Sequence, residues 1–270
     1  MKSSSAANRP APWWRPHRVP AGQHLICQLG TLELVIAHEM GEWTLRESFL
    51  DESEADVEAR FTMADGADPE HTERFVHDGK DGNLVLAPRL ADRPVVIRPR
   101  QPLSVLSGQS ITLYLSTPLW LLIQVGDPPV RLKELPMLRL SDTWFGPNTR
   151  EGEICYAGRT QARHNVADLP QRIHRAITPL TIQNKADEPL VMDKISLPVP
   201  MLSLYSDDQA RLWTQRVTLT RNDRDDLATV RLDTHKIDGS NLKRIAEARA
   251  EPGRFGITRA FGLLFGGDGA

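Results

Sequence analysis

Apolar and polar residues alternate with a period of two along most of the chain. Ile111, Leu113 and Leu115 take one face while Thr112, Tyr114 and Ser116 take the other, the pattern of a strand with one buried side. Leu119 to Val125 is a continuous apolar run, which predicts a strand covered on both faces. Gly126-Asp127-Pro128-Pro129 ends it. Upstream, Leu25 to Ala37, Trp43 to Leu50, Val57 to Met63, Asn83 to Ala87 and Pro94 to Arg98 read as strands. Downstream, Leu180 and Ile182 alternate with Thr181 and Gln183, and the turn cluster Asn184 to Pro189 follows. Val191, Asp193, Ile195, Leu197 and Val199 then resume the period, so the spacing predicts a hairpin. Leu202 to Tyr205, Trp213 to Thr220 and Ala228 to Leu232 add further strands.

Helix is scarce. The best candidate is Ser240 to Ala250, with Ser240 as N-cap and Leu242, Ile245 and Ala246 on one face. Phe255 to Phe265 fits a strand or a helical stripe, and Gly256 and Gly262 favour the strand. Many short strands separated by turn signals predict an all-β, β-sandwich-like protein. We expect two packed β parts, residues 21–140 and 141–270, behind a flexible arm at residues 1–20. Pro10, Pro12, Pro16 and Pro20 impose extended backbone on that arm. The adjacent Trp13 and Trp14 are expected to dock on the body of the protein, because exposed neighbouring tryptophans are a liability.

The 270 residues, 40% of them hydrophobic, suffice for a real core. A formal net charge of −2 argues against a surface built to coat nucleic acid. Only seven of the 33 basic residues are Lys, which reads as compositional bias. No apolar leader opens the chain, and no run approaches the roughly twenty apolar residues of a membrane span. These two observations point to a cytoplasmic protein. Cys27 and Cys155 are the whole cysteine supply. One disulfide would be no framework, and burial as small hydrophobes is the default for both.

Most catalytic chemistry fails on spacing. His38-Glu39-Met40-Gly41-Glu42 begins like a zinc-protease motif, but Glu42 stands where the second imidazole is needed. Asp78 to Asn83 resembles a calcium loop, yet it carries Lys80 at a ligand position, so it reads as a turn. G-x-S-x-G, the Walker lysine loop and G-x-G-x-x-G do not occur. Cys155 with His164 or His174 has no local signature of a thiol–imidazole pair. No cofactor or metal is implied.

One basic cluster stands out. Arg159, Arg163, His164, Arg172, His174 and Arg175 lie between Gly158 and Ala176, opposed only by Asp168. Little alternation and Leu169-Pro170 make this a long loop, and long loops in compact domains are often functional. Converging guanidinium groups would bind phosphate, carboxylate or an acidic partner surface. The competing reading is that they pair with nearby acids or face water. A second basic stretch, Arg89, Arg93, Arg98 and Arg100, has no predicted place relative to the first.

Two segments carry a family resemblance. One is Trp144 to Tyr156, with Trp144-Phe145-Gly146, Glu151-Gly152 and Ile154-Cys155-Tyr156. The other is Pro179 to Leu190, with the strands that follow to Tyr205. Together they make residues 140–232 resemble the family known as domain of unknown function 432. The resemblance implies a β-rich fold and supplies no catalytic residue.

The expected function is therefore non-enzymatic binding. Partners would be an anionic small molecule or an acidic protein surface, with self-association through Phe255 to Phe265 as a further expectation. The rival is a hydrolase or transferase whose anionic substrate sits on the Arg159–Arg175 loop, with Glu151, Glu153 or Asp168 as acid or nucleophile. Nucleic acid is disfavoured, because aromatics for base stacking are few in the loop.

Overall fold

Sixteen consecutive residues, Ser110–Val125, form the one strand around which the others are arranged. The computed structural model describes residues 12–51, 58–66, 70, 73–79, 81–99, 102–146, 148–159, 162–192, 194–222, 227–233, 242–251 and 257–260. Its regular structure is strand, apart from two 3-10 turns at Val166–Asp168 and Val199–Met201. The all-β class follows directly from the two-fold alternation.

The long strand works in two halves. Ser110 to Pro118 pairs antiparallel with Arg175–Asn184. Leu119 to Val125 lies between Asn83–Leu90 and Val130–Pro136. This second half is the continuous apolar run, and Leu119, Leu121, Ile123 and Val125 are all buried. Beyond Arg175–Asn184 the sheet continues through Arg216–Arg221, Leu227–Asp233 and Ile257–Ala260. Residues on both sides of position 140 thus share one sheet, and one core cluster runs from Trp13 to Val230. A second sheet of five antiparallel strands contains Gln23–Leu29, Leu32–Glu39 and Glu42–Phe49. A third pairs Ser141–Phe145, Glu153–Arg159, Val95–Arg98 and Ile195–Leu197.

Three expectations need correction. The segment after Asn184 does not fold back as a hairpin. Asn184 Nδ2 donates to Val105 O (2.9 Å) and Glu188 O (2.8 Å), and Ala186 N donates to Asn184 Oδ1. That wide turn delivers Leu190–Met192 to Leu103–Val105 instead. Asp193 lies outside the described residues.

The predicted helix at Ser240 to Ala250 is a strand over Lys243–Ala246, antiparallel to Leu204–Ser206; Ser240 itself lies outside the described residues. Leu242, Ile245 and Ala246 keep helical spacing, and pairing with the sheet edge at Leu204–Ser206 overrides it. Arg249 then locks the following turn. Its Nε and Nη2 donate to Leu90 O at 2.8 and 2.7 Å, and it also pairs with Glu134.

The arm expected to be flexible is packed over its described part. Pro16–Arg18 adds a strand to Asn83–Leu90, Val19 is fully buried and Trp13 is 6% exposed. Extended backbone imposed by proline is already shaped for a sheet edge. Gly82 makes the approach feasible: its φ is +62°, and a Cβ there would stand 2.2 Å from Val19 O. Trp13 docks on the body, as the sequence predicts. Residues 1–11 lie outside the described residues.

Candidate functional site

Trp13, Trp14 and Arg15 from the N-terminal segment line a cavity of about 800 Å³. Val166, Leu169 to Ile173 and Arg175 to Ile177 contribute a second part of its wall. Glu58, Ala59 and Phe61 and the turn Gln209 to Leu212 also line it. Its wall is apolar where it meets the core: Trp13, Leu169, Ala176 and Leu212 are buried. Its rim is wet, with Pro12, Arg15, Glu58, Pro170, Gln171 and Gln209 all exposed.

The basic segment is a strap pinned at both ends. Arg163 bridges to the long strand through paired backbone bonds with Tyr114 (2.7 and 3.0 Å). At the other end Leu119 N donates to His174 O (3.0 Å), and Arg175 N donates to Arg172 O (3.1 Å). Between these points the 3-10 turn Val166–Asp168 presents Leu169 inward.

The structure divides the six basic candidates. Arg172 and Arg175 line the cavity. Arg175 is 8% exposed and donates Nη1 to Ser116 O at 3.2 Å. His174 points away into the core, where a Cβ on Gly30 would stand 2.1 Å from its Nδ1. Arg163 and the exposed His164 are not among the lining residues. Arg159 ends the strand Glu153–Arg159, and its side chain lies outside the described residues.

Two further guanidinium groups come from distant sequence. Arg15 is exposed at the rim, and Arg211 lines the cavity from the turn after Leu204–Ser206. Arg211 is held by a small network. Asp207 Oδ1 accepts from Gln209 N and Arg211 N, both at 2.9 Å. Its Oδ2 accepts from Arg211 Nε (2.7 Å) and Trp213 Nε1 (2.9 Å). The guanidinium also lies over the Trp213 ring, 5.4 Å from its centroid. Burial alone would raise the Asp207 carboxyl, but the bonds from Trp213 and Arg211 outweigh it and hold the group below its ordinary range. Asp207 thus takes the Nε–H of Arg211 and leaves its Nη groups for a ligand. The same turn forces Ala210 to a φ of +58°, a strained conformation for a residue with a Cβ.

Around this cavity Arg15, Arg172, Arg175 and Arg211 meet one carboxylate, Glu58, among the described lining residues. Guanidinium groups gathered on a low-dielectric wall favour an anion, with Asp207 already serving as counter-ion to Arg211. Glu151, Glu153 and Asp168, the carboxylates a hydrolytic reading requires, do not line it. Glu151 is engaged in the loop after Phe145, where its Oε2 accepts from Asn148 Nδ2 at 3.3 Å. Among the described residues no three His, Cys, Asp or Glu side chains gather closely enough to hold a metal ion.

Both cysteines are buried thiols outside any disulfide. Burial pushes the Cys27 thiol up to about 12, so it is inert at neutral pH. Cys155 packs with Val96 and Phe145 in a separate cluster, away from His174. The C-terminal segment is described only over Ile257–Ala260, which pairs with Leu227–Asp233 of its own chain. No helix among the described residues is long and apolar enough to cross a membrane.

Fold and cavity together define an all-β protein with an arginine-lined groove beneath an N-terminal tryptophan segment. The chain belongs to the family described as "Protein of unknown function (DUF432)", whose model matches residues 13–265, from the first docked tryptophan almost to the C-terminus. No curated protein and no solved structure matches it.

Proposed function

We propose that this chain is a non-enzymatic binding protein whose groove holds a small anionic molecule. The observation that carries the reading is a concave, apolar-floored site whose described lining residues bring together four arginines, Arg15, Arg172, Arg175 and Arg211, with Glu58 the one carboxylate among them. Planar guanidinium groups bind phosphate and carboxylate through paired hydrogen bonds. The volume, about 800 Å³, falls in the range of small-molecule sites. Concavity favours a small ligand over the acidic protein surface that would also satisfy the charge. A cytoplasmic site of action fits two buried cysteines that form no disulfide.

The test is equilibrium binding of an aryl sulfonate, 8-anilinonaphthalene-1-sulfonate, at rising salt. Affinity should fall with ionic strength. It should fall by about tenfold in Arg15→Ala/Arg172→Ala, equivalent to about 1.4 kcal/mol. Binding that ignores both salt and the double substitution would overturn the proposal.

A further inference from the structure

We infer that the anion held in this groove is a nucleoside phosphate, with its base against Trp14 and its phosphate on Arg172, Arg175 and Arg211. The inference rests on the binding reading above and narrows it. An inorganic anion alone leaves most of an 800 Å³ cavity unfilled. A purely apolar ligand would leave the arginine-lined part of the wall without a matching group. The ligand therefore has an anionic end and an organic body.

The shape of that body follows from the wall and the rim. Trp14 lines the cavity only partly buried, and Trp13 braces it edge-on, with ring centroids 5.5 Å apart and planes at 86°. A perpendicular indole pair fixes the orientation of the exposed ring, which is what a stacking platform for a flat heterocycle needs. The exposed rim would leave much of an acyl chain in water, whereas the polar edges of a base and a ribose tolerate solvent. Gln171 and Gln209 stand on that rim, and each carries an amide able both to donate and to accept. The anionic end also meets a prepared site. Asp207 presets Arg211, and Ser116 O holds one end of Arg175. Little side-chain freedom remains to be lost on binding.

The experiment is calorimetric titration of the full chain with the four ribonucleoside 5′-monophosphates, ATP, ribose 5-phosphate and decanoate. At least one nucleotide should bind about tenfold or more tightly than ribose 5-phosphate, because base stacking adds to the phosphate contact. Trp14→Leu should remove that advantage and leave ribose 5-phosphate binding unchanged; Trp14→Phe, which keeps a ring and guards against a folding defect, should retain most of it. Arg172→Ala should weaken nucleotide and sugar phosphate alike. Equal affinity for nucleotide and ribose 5-phosphate would overturn this inference while leaving anion binding intact, and so would tighter binding of decanoate. If no anion in the panel binds, both the inference and the proposed function fail.

Discussion

Replacing Asp207 by Asn changes one atom and opposes two donors. Oδ1 keeps its partners, the backbone N–H groups of Gln209 and Arg211. The new amide nitrogen, in the place of Oδ2, faces Arg211 Nε and Trp213 Nε1, so both of those bonds are lost. A hydrogen bond to a charged group is worth about 1.5–3 kcal/mol, and a buried donor left unsatisfied costs about 1–3. The Arg211 side chain is 29% exposed and regains solvent, so the lower end applies to it. We expect Asp207→Asn to lose about 2–4 kcal/mol.

The assay is urea unfolding followed by tryptophan fluorescence, with Arg211→Met completing a double-mutant cycle. The cycle should return a coupling of about 1–2 kcal/mol. The sign with pH is also set. Asp207 is held below its ordinary 3.8 in the folded state. Its contribution is therefore complete above that value and is lost as pH falls through the folded value, and Asp207→Asn should flatten this acid limb. Anion affinity should weaken too, because Arg211 is no longer aimed. A stability loss below about 0.5 kcal/mol, with no coupling to Arg211, would refute the network's role.

Other substitutions probe the frame around the groove. Gly30→Ala puts a Cβ 2.1 Å from His174 Nδ1 at a φ of +68°; left-handed strain and overpacking together should lower stability by about 2–5 kcal/mol in a urea melt. Thr178→Val removes a buried hydroxyl bonded to Thr117 (2.7 Å) and Thr214 (3.0 Å); the loss should be about 1–3 kcal/mol, and Thr178→Ser should recover part of it. His17 is pushed below its ordinary 6.5, first by burial and then by Arg15, against a bond its ring donates to the Trp13 backbone. The unfolded chain then takes the proton more readily, so stability should drop as pH falls through 6.5. In His17→Phe, urea midpoints at about pH 8 and about pH 5 should differ less than in the parent.

Much of the frame was legible because burial on one face of a strand writes period two into the chain. The alternation from Ile111 to Ser116 and the apolar run to Val125 appear as the two halves of one long strand. Partnering was not legible. Period two is the same whichever strand lies alongside, so the segment after Asn184 reads as a hairpin although Asn184 directs it elsewhere. Leu242, Ile245 and Ala246 keep helical spacing, which is why the strand Lys243–Ala246 reads as helix until its pairing with Leu204–Ser206 is known.

The groove was half legible. Charge density alone marked Arg172 and Arg175, but it could not separate them from His174, which turns into the core within the same strap. Arg15 and Arg211 join through contacts between residues far apart in sequence. The signals that might have found them are local: a Trp-Trp pair among prolines, and an Asp207, Arg211, Trp213 spacing within one tight turn.

The most direct test of the central claim is a crystal of this chain soaked in selenate, with the anion located by its anomalous signal. The account predicts selenate in the groove between Arg172, Arg175 and Arg211, displaced by a bound nucleotide. Selenate bound elsewhere, with the groove empty at saturating concentration, would contradict it.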